Sequence, residues 1–218
     1  MDIQELVLEI TRRCNMHCAH CLRGESQDKD MDFAAIDRIL ELTDSVQSVT
    51  FTGGEPSLYI PAIRYFFEKA KAIGTMPYWF YVVTNGKENQ LELAIELLKV
   101  YPEMEEQEFC GIALSVDTFH EKHQDFLVKG LTFYRTDKED PEMIPISEGR
   151  AFSLPKSRFR TKHPEITADG QTIEMLYVSV DGDLVGDCDL SYKHIEQMSR
   201  HNLFQIESLN EVIEEEMQ

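Results

Sequence analysis

Long apolar runs and positive charges are both scarce in this sequence. The longest strongly apolar run covers residues 78–83, far short of the roughly 20 residues that a transmembrane helix needs, so we expect no membrane span. Lysine and arginine total 21 against 40 aspartates and glutamates, which gives a net charge of −19. Such a surface repels phosphate backbones. We therefore expect no nucleic-acid partner, whereas a basic peptide, a basic protein or a small molecule is accommodated more easily.

The first residues, 1–5, have neither a positive n-region nor an apolar segment, so we expect no signal peptide and a cytoplasmic location. Apolar residues make up 42% and charged residues 28% of the 218 residues, which is the balance of an ordinary globular protein. This length suits one α/β domain with a small appendage.

Five cysteines are present, and Cys14, Cys18 and Cys21 form a compact C-x3-C-x2-C group. An odd number with this distribution is a poor disulfide framework and a good metal site. Thiolates bind iron–sulfur clusters, and three of them leave one iron of a four-iron cluster without a protein ligand. Two alternatives stay open at this point. Positions i, i+4 and i+7 could share one buried helix face, although the polar neighbours disfavour it, and His17 or His20 could complete a zinc site.

Strands and helices alternate along the first half of the chain. Apolar alternation predicts strands at residues 5–11, 48–52, 78–84 and 111–116. Helices are predicted at residues 33–46, with Asp32 as N-cap, then from the turn containing Pro61 to Gly74, and at 91–100. Four βα units in a row indicate a parallel sheet covered by helices, in which functional side chains lie at the carboxyl ends of the strands.

The second half is less regular. We predict a helix at residues 120–129, strands at 131–134 and 144–147, and a hairpin that turns at Asp181-Gly182. A last helix begins at Ser208, which forms a capping box with Glu211.

Two motifs identify a family. CNMHCAHC, residues 14–21, follows the first strand, and Thr52-Gly53-Gly54-Glu55-Pro56 ends the second strand. In this order, one βα unit apart, they resemble the motifs of the radical S-adenosylmethionine (SAM) superfamily. The resemblance implies that Cys14, Cys18 and Cys21 hold a [4Fe–4S] cluster. It also implies that Gly53, Gly54 and Glu55 hold the methionine end of SAM. This context makes the zinc and buried-cysteine alternatives less favoured.

The same resemblance implies a fold, namely an α/β, partial (β/α)6 TIM-like barrel of about six parallel strands that is open on one side. Residues 1–171 would form this barrel domain. Residues 172–218 would form a short C-terminal β-hairpin and helix extension.

Further matches are less specific. Thr84-Asn85-Gly86 looks like the strand-end turn of the family, or is a plain turn. Ser115 or Asp117 would contact the ribose side of SAM, or would only cap the next helix. Gly149-Arg150-Ala151 resembles a late motif whose backbone lies near the adenine. His20 stands where the family often has an aromatic residue near the adenine, or faces solvent.

The C-terminal part faintly resembles the SPASM or twitch type of peptide-modifying members, in which further cysteines bind auxiliary clusters. Here only Cys188 lies in that part, and Cys110 lies in a predicted core strand. Two cysteines cannot fill an auxiliary site, so we expect one cluster only. Cys188 is either a hydrogen-atom donor to a substrate radical or a buried, inert thiol.

The implied activity is reductive cleavage of SAM to a 5′-deoxyadenosyl radical, which abstracts a hydrogen atom from a substrate. An external flavodoxin- or ferredoxin-like donor would supply the electron. A peptide or protein side chain is the preferred substrate class. The alternatives are an activase for a glycyl-radical enzyme and a non-catalytic, zinc-binding interaction protein.

Overall fold

The structure, a computed structural model, describes residues 1–115, 119–120, 133–136, 144–161 and 163–216. In chain order its strands are β1 (Asp2–Thr11), β2 (Ser45–Gly53), β3 (Trp79–Thr84), β4 (Gly111–Leu114), β5 (Tyr134–Thr136), β6 (Ala168–Asp169), β7 (Thr172–Val178), β8 (Asp183–Val185) and β9 (His201–Asn202). The helices are α1 (Phe33–Leu42), α2 (Ile60–Ile73), α3 (Gln90–Val100), α4 (Tyr192–Met198) and α5 (Leu209–Glu216). Short 3₁₀ turns cover Pro56–Leu58, Tyr101–Glu103, Gln107–Phe109 and Gly149–Ser153.

One mainly parallel sheet contains all the described strands. The strand order is β5-β4-β3-β2-β1-β7-β8-β9, and the short strand β6 also pairs with β7. Every pairing from β5 to β7 is parallel, while β8 and β9 are added antiparallel. Within the described residues the two outer strands do not pair with each other, so the sheet is open. The predicted α/β fold with a mainly parallel, open sheet is confirmed, and its sixth parallel strand is β7.

The first strand of the chain, β1, lies between β2 and the late strand β7. Leu6 of β1 lies opposite Val49 of β2 on one side and opposite Leu176 of β7 on the other. Strand β7 then turns into β8 as the predicted hairpin.

Helix ends follow the capping residues. The Asp32 side chain accepts a hydrogen bond from the Ala34 N–H at the start of α1, as predicted. This helix ends earlier than the predicted residue 46, because Thr43 adopts an extended backbone and β2 begins at Ser45. Gly74 ends α2 with a φ of 82°, which a residue without Cβ adopts at little cost.

The main core fills the space between the helices and the outer face of the sheet. Alternation along β1 sends Leu6, Leu8 and Ile10 into it. The inner face of the sheet carries a smaller apolar cluster, in which Val7 and Tyr177 pack against residues that follow β8. Part of the inner face therefore stays available for a cavity.

Three expectations for the second half need correction or lie outside the described residues. The strand predicted at 144–147 is reduced to one bridge between Ile146 and Arg158, because Pro145 has no N–H to donate to a ladder. The strand predicted at 131–134 is β5, displaced toward the C-terminus. The helix predicted at 120–129 lies almost wholly outside the described residues. Helix α4, which begins at the N-cap Ser191, was not predicted.

Within the ranges that the structure describes, no helix combines the length and the apolar character needed to cross a bilayer.

Candidate functional site

The three clustered cysteines lie in the loop that leaves the carboxyl end of β1. All three are half-buried and line one cavity of about 690 Å³. The Cys21 N–H donates to the Cys18 carbonyl oxygen at 3.1 Å, and the Cys14 N–H donates to Ser26 Oγ at 2.9 Å, so the loop folds back on itself. Burial raises the pKa of the Cys14 thiol, which disfavours a thiolate there unless a cation is bound beside it.

The three thiols are a donor set that suits a four-iron cluster, which distributes its thiolates over separate iron ions. His17, one of the suggested zinc ligands, turns to the surface, where its Nε2 lies 3.0 Å from Glu25.

Gly53 and Gly54 bring the end of β2 against the start of the cysteine loop. A Cβ atom on Gly53 would lie 2.1 Å from the Thr11 carbonyl oxygen, and one on Gly54 would lie 2.2 Å from the Arg13 carbonyl oxygen. The Gly54 N–H donates to Thr11 at 2.7 Å and the Glu55 N–H donates to Arg13 at 2.8 Å. The close approach that these glycines permit is to the chain's own backbone, and Gly54 also lines the cavity.

Glu55 is a buried carboxylate in the wall of the same cavity. Its Oε1 accepts from Thr84 Oγ1 at 2.6 Å and from the Ser57 N–H at 3.1 Å, and its Oε2 accepts from the Asn85 N–H at 2.7 Å. Burial raises the pKa of Glu55, and these hydrogen bonds oppose the rise. These three donors hold the carboxylate in the wall of the cavity.

The turn after β3 joins Glu55 to the cysteine loop. Asn85 Nδ2 donates to Asn15 Oδ1 at 2.9 Å and lies 3.9 Å from Cys14 Sγ. Asn85 Oδ1 accepts from the Lys87 N–H at 2.9 Å, which orients the amide. The turn Thr84-Asn85-Gly86 therefore contacts both Glu55 and the cysteine loop. In the sequence, only its position at the end of a strand suggested such a role.

Gly149 and Arg150, which lie more than 120 residues later in the sequence, contact the cysteine loop. Arg150 Nε donates to the Cys18 carbonyl oxygen at 2.9 Å, and its Nη1 donates to the Gly24 carbonyl oxygen at 2.5 Å. The Arg150 N–H donates to the Cys21 carbonyl oxygen at 3.0 Å. Gly149 has a φ of 51°, and a Cβ there would lie 2.4 Å from the Leu22 carbonyl oxygen. These residues position the loop, a role that sequence spacing did not indicate.

The other predicted site residues are placed as follows. Ser115 lines the cavity, and its N–H donates to the Thr84 carbonyl oxygen at 2.9 Å. Asp117 lies outside the described residues. His20 lines the cavity and stacks on Phe119 with ring centroids 4.7 Å apart.

Cys188 reaches this cavity from the segment after β8. It is half-buried, and burial raises the pKa of its thiol while Arg23 opposes the rise. Cys110 is 1% exposed and belongs to the main core. The structure thus brings four of the five cysteines to one cavity.

A buried charged network below the cysteine loop was missed by sequence reasoning. Glu9 and Arg12 are fully buried, and Arg12 Nε donates to Glu9 Oε1 at 2.6 Å. Tyr177 of β7 donates its hydroxyl to Glu9 Oε2 at 2.6 Å, and the Arg12 guanidinium lies 4.5 Å from the ring centroid of Tyr192. The network ties the start of the loop to the C-terminal segment. The sequence feature that could have indicated this network is Glu9, a charged residue at an inward-facing position of an otherwise apolar strand.

The family follows from a sequence match. The family model of the radical SAM superfamily matches residues 8–138, which is more than half of the chain, so the chain belongs to that superfamily. A stretch of 60 residues is 42% identical to an uncharacterized protein of Methanocaldococcus jannaschii and covers 26% of this chain. That stretch spans 21% of the relative's own length.

Two solved structures share the fold. BtrN in an open conformation has a TM-score of 0.53 and 14% identity, over 96% of this chain and 79% of its own. The protein anSMEcpe, solved with bound AdoMet and a peptide, has a TM-score of 0.53 and 13% identity, over 100% of this chain and 84% of its own. At such identities the likeness concerns the fold alone. Superfamily membership accounts for an iron–sulfur cluster and SAM in general terms, and the cavity contains thiols and a carboxylate that fit them.

Proposed function

We propose that this chain holds one [4Fe–4S] cluster on Cys14, Cys18 and Cys21 and uses it with SAM to activate a substrate by hydrogen-atom abstraction. The observation that carries the proposal is that the three thiols, Gly54 and Glu55 line one cavity. When bound, the cluster and SAM supply a one-electron cleavage that yields a 5′-deoxyadenosyl radical. The chain itself binds, orients and shields the reacting groups.

Each cavity residue has a role in this proposal. Glu55, which lies in the cavity wall, receives the ammonium group of the methionine end. Ser115, or Asp117 two residues later, contacts the ribose side. His20 lies against the adenine, supported by its stacking on Phe119. Asn85 and Arg150 fix the loop that carries the thiols.

Our preferred substrate is a peptide or protein side chain. The cavity of about 690 Å³ is partly open, and the net charge of −19 favours basic partners. The anSMEcpe structure, which shares the fold, contains a bound peptide. An external flavodoxin- or ferredoxin-like protein donates the electron. We also propose a cytoplasmic location, because thiols persist in a reducing compartment.

Cys188 is proposed as the hydrogen-atom donor to the substrate radical. Its thiol lies in the same cavity as the cluster cysteines, and burial keeps it protonated by raising its pKa. Breaking the S–H bond would quench the substrate radical and leave a thiyl radical. One electron from the external reductant and one proton would restore the thiol.

The test is anaerobic reconstitution with iron and sulfide, followed by dithionite and SAM, with 5′-deoxyadenosine measured by mass spectrometry. We expect roughly four irons per chain and product from the wild type, and neither from Cys18→Ala. Cys188→Ala is the matched control, since it should keep the cluster and cleave SAM. One zinc and no iron after anaerobic purification would support the interaction-protein alternative, and a wild type that binds no cluster would refute the proposal.

A further inference from the structure

Glu5 is an acidic side chain in the wall of the cavity that neither the cluster nor SAM explains. It lies on β1 six residues before the strand ends at Thr11, which at about 3.3 Å per residue places it some 20 Å along the strand from the start of the cysteine loop. Glu5 nevertheless lines the same cavity as the cysteines, together with Val7 and Thr50. The cavity therefore extends from the cysteine loop deep along the inner face of the sheet.

The three acidic residues that line this cavity within the described ranges have different partners. Glu55 accepts three hydrogen bonds from the chain, and Asp189 forms an ion pair with Arg160. Glu5 receives only one contact, from Thr50 Oγ1 at 3.4 Å, which is long for a hydroxyl donor. No lysine, arginine or histidine among the described residues forms an ion pair with it. Burial accordingly raises its pKa, and the Thr50 hydroxyl opposes this only in part.

The arginines that line the cavity are engaged elsewhere or lie at its exposed side. Arg23 donates to the Leu190 carbonyl oxygen at 2.8 Å and covers the Tyr177 ring at 4.9 Å. Arg150 is held by the cysteine loop, and Arg158 is exposed. None of the arginines and histidines that line the cavity in the described part of the chain pairs with Glu5. A ligand that brings a cation would therefore satisfy this half-buried carboxylate.

The position of Glu5 also connects it to the reacting part of the site. Glu5 and Cys188 line the same cavity. A substrate group held by Glu5 would therefore place its neighbouring atoms near Cys188 and on the way to the cysteine loop. This arrangement separates two cation sites, Glu55 near the loop and Glu5 deeper along β1.

We propose that Glu5 is a specificity-determining residue that binds an alkylammonium or guanidinium group of the substrate, so that the substrate is a lysine- or arginine-bearing peptide or a comparable amine. This inference rests on the proposed function and narrows its substrate class. The net charge of −19 would draw such a cation toward the protein.

The test measures binding of four acetylated, amidated tripeptides to reconstituted, SAM-loaded protein by anaerobic calorimetry. The central residue is lysine, arginine, norleucine or citrulline, so each cationic peptide has a neutral counterpart of similar length. For the wild type we expect the cationic peptides to bind about tenfold more tightly, as a charge-assisted contact provides. In Glu5→Gln, which keeps an oxygen for Thr50, the preference should fall to within about twofold while binding of the neutral peptides is unchanged.

Glu41→Gln is the control, because Glu41 is an exposed residue of α1 and should leave the preference intact. Equal affinity of the cationic and neutral peptides for the wild type, absence of cationic-peptide binding, or a preference that persists in Glu5→Gln would each overturn the inference. Iron content and 5′-deoxyadenosine formation, measured on the same preparations, show separately whether the proposed function itself has failed.

Discussion

Replacing Gly54 with alanine should displace the cysteine loop. The added Cβ would lie 2.2 Å from the Arg13 carbonyl oxygen, 2.7 Å from the Arg13 carbonyl carbon and 2.9 Å from the Arg12 carbonyl carbon. A carbon and a carbonyl oxygen need about 3.3 Å, so the two backbone segments must separate by about 1 Å. All three obstructing atoms belong to the backbone, and no flexible side chain can move away instead.

The cost can be estimated from what this separation breaks. The Gly54 N–H bond to Thr11 and the Glu55 N–H bond to Arg13 cross the same contact, and their loss costs about 1 kcal/mol each. Overpacking adds about 1–3 kcal/mol. We therefore expect the free energy of unfolding of the metal-free protein to fall by about 3–5 kcal/mol.

Urea unfolding of the metal-free protein and iron content after reconstitution measure the two consequences. Gly74→Ala is the matched control, because a Cβ at Gly74 meets no atom within 4 Å but its φ of 82° is strained for alanine. That variant should lose about 1–2 kcal/mol and keep its iron. If Gly54→Ala binds as much iron as the wild type and unfolds at the same urea concentration, the argument from the backbone contact is wrong.

Three further predictions follow from other contacts. Arg150→Lys cannot bridge two loop carbonyls with a planar fork, so reconstituted iron should fall several-fold; iron equal to the wild type would contradict this. Tyr177→Phe leaves a buried Glu9 oxygen without its donor, which should lower the free energy of unfolding by about 1–3 kcal/mol in urea, and a change below about 0.5 kcal/mol would count against it. Arg64 lowers the pKa of Glu96, so ionised Glu96 stabilises the fold above the ordinary value of 4.5. The stability difference between wild type and Arg64→Met should shrink as pH falls through and below that value, whereas a pH-independent difference would refute the assignment.

Local patterns in the sequence were sufficient to predict the class of the protein. The spacing of Cys14, Cys18 and Cys21, and the Gly-Gly-Glu motif one βα unit later, lie within short contiguous stretches. The alternation of apolar residues along β1 to β4 and the capping residues of α1 and α2 are equally local. Since such features depend on neighbours within a few residues, the parallel sheet and the candidate metal ligands could be predicted without the fold.

Only the tertiary structure decided which distant residues complete the site. Arg150 and Gly149 reach the cysteine loop from more than 120 residues away, and the pairing of β7 with β1 brings Tyr177 to Glu9. Alternation along β1 shows that Glu5 and Leu6 face opposite ways. It cannot show that one face borders a cavity shared with Cys188. These contacts depend on strand order and on the approach of segments far apart in the chain, and no periodicity within a single segment encodes them.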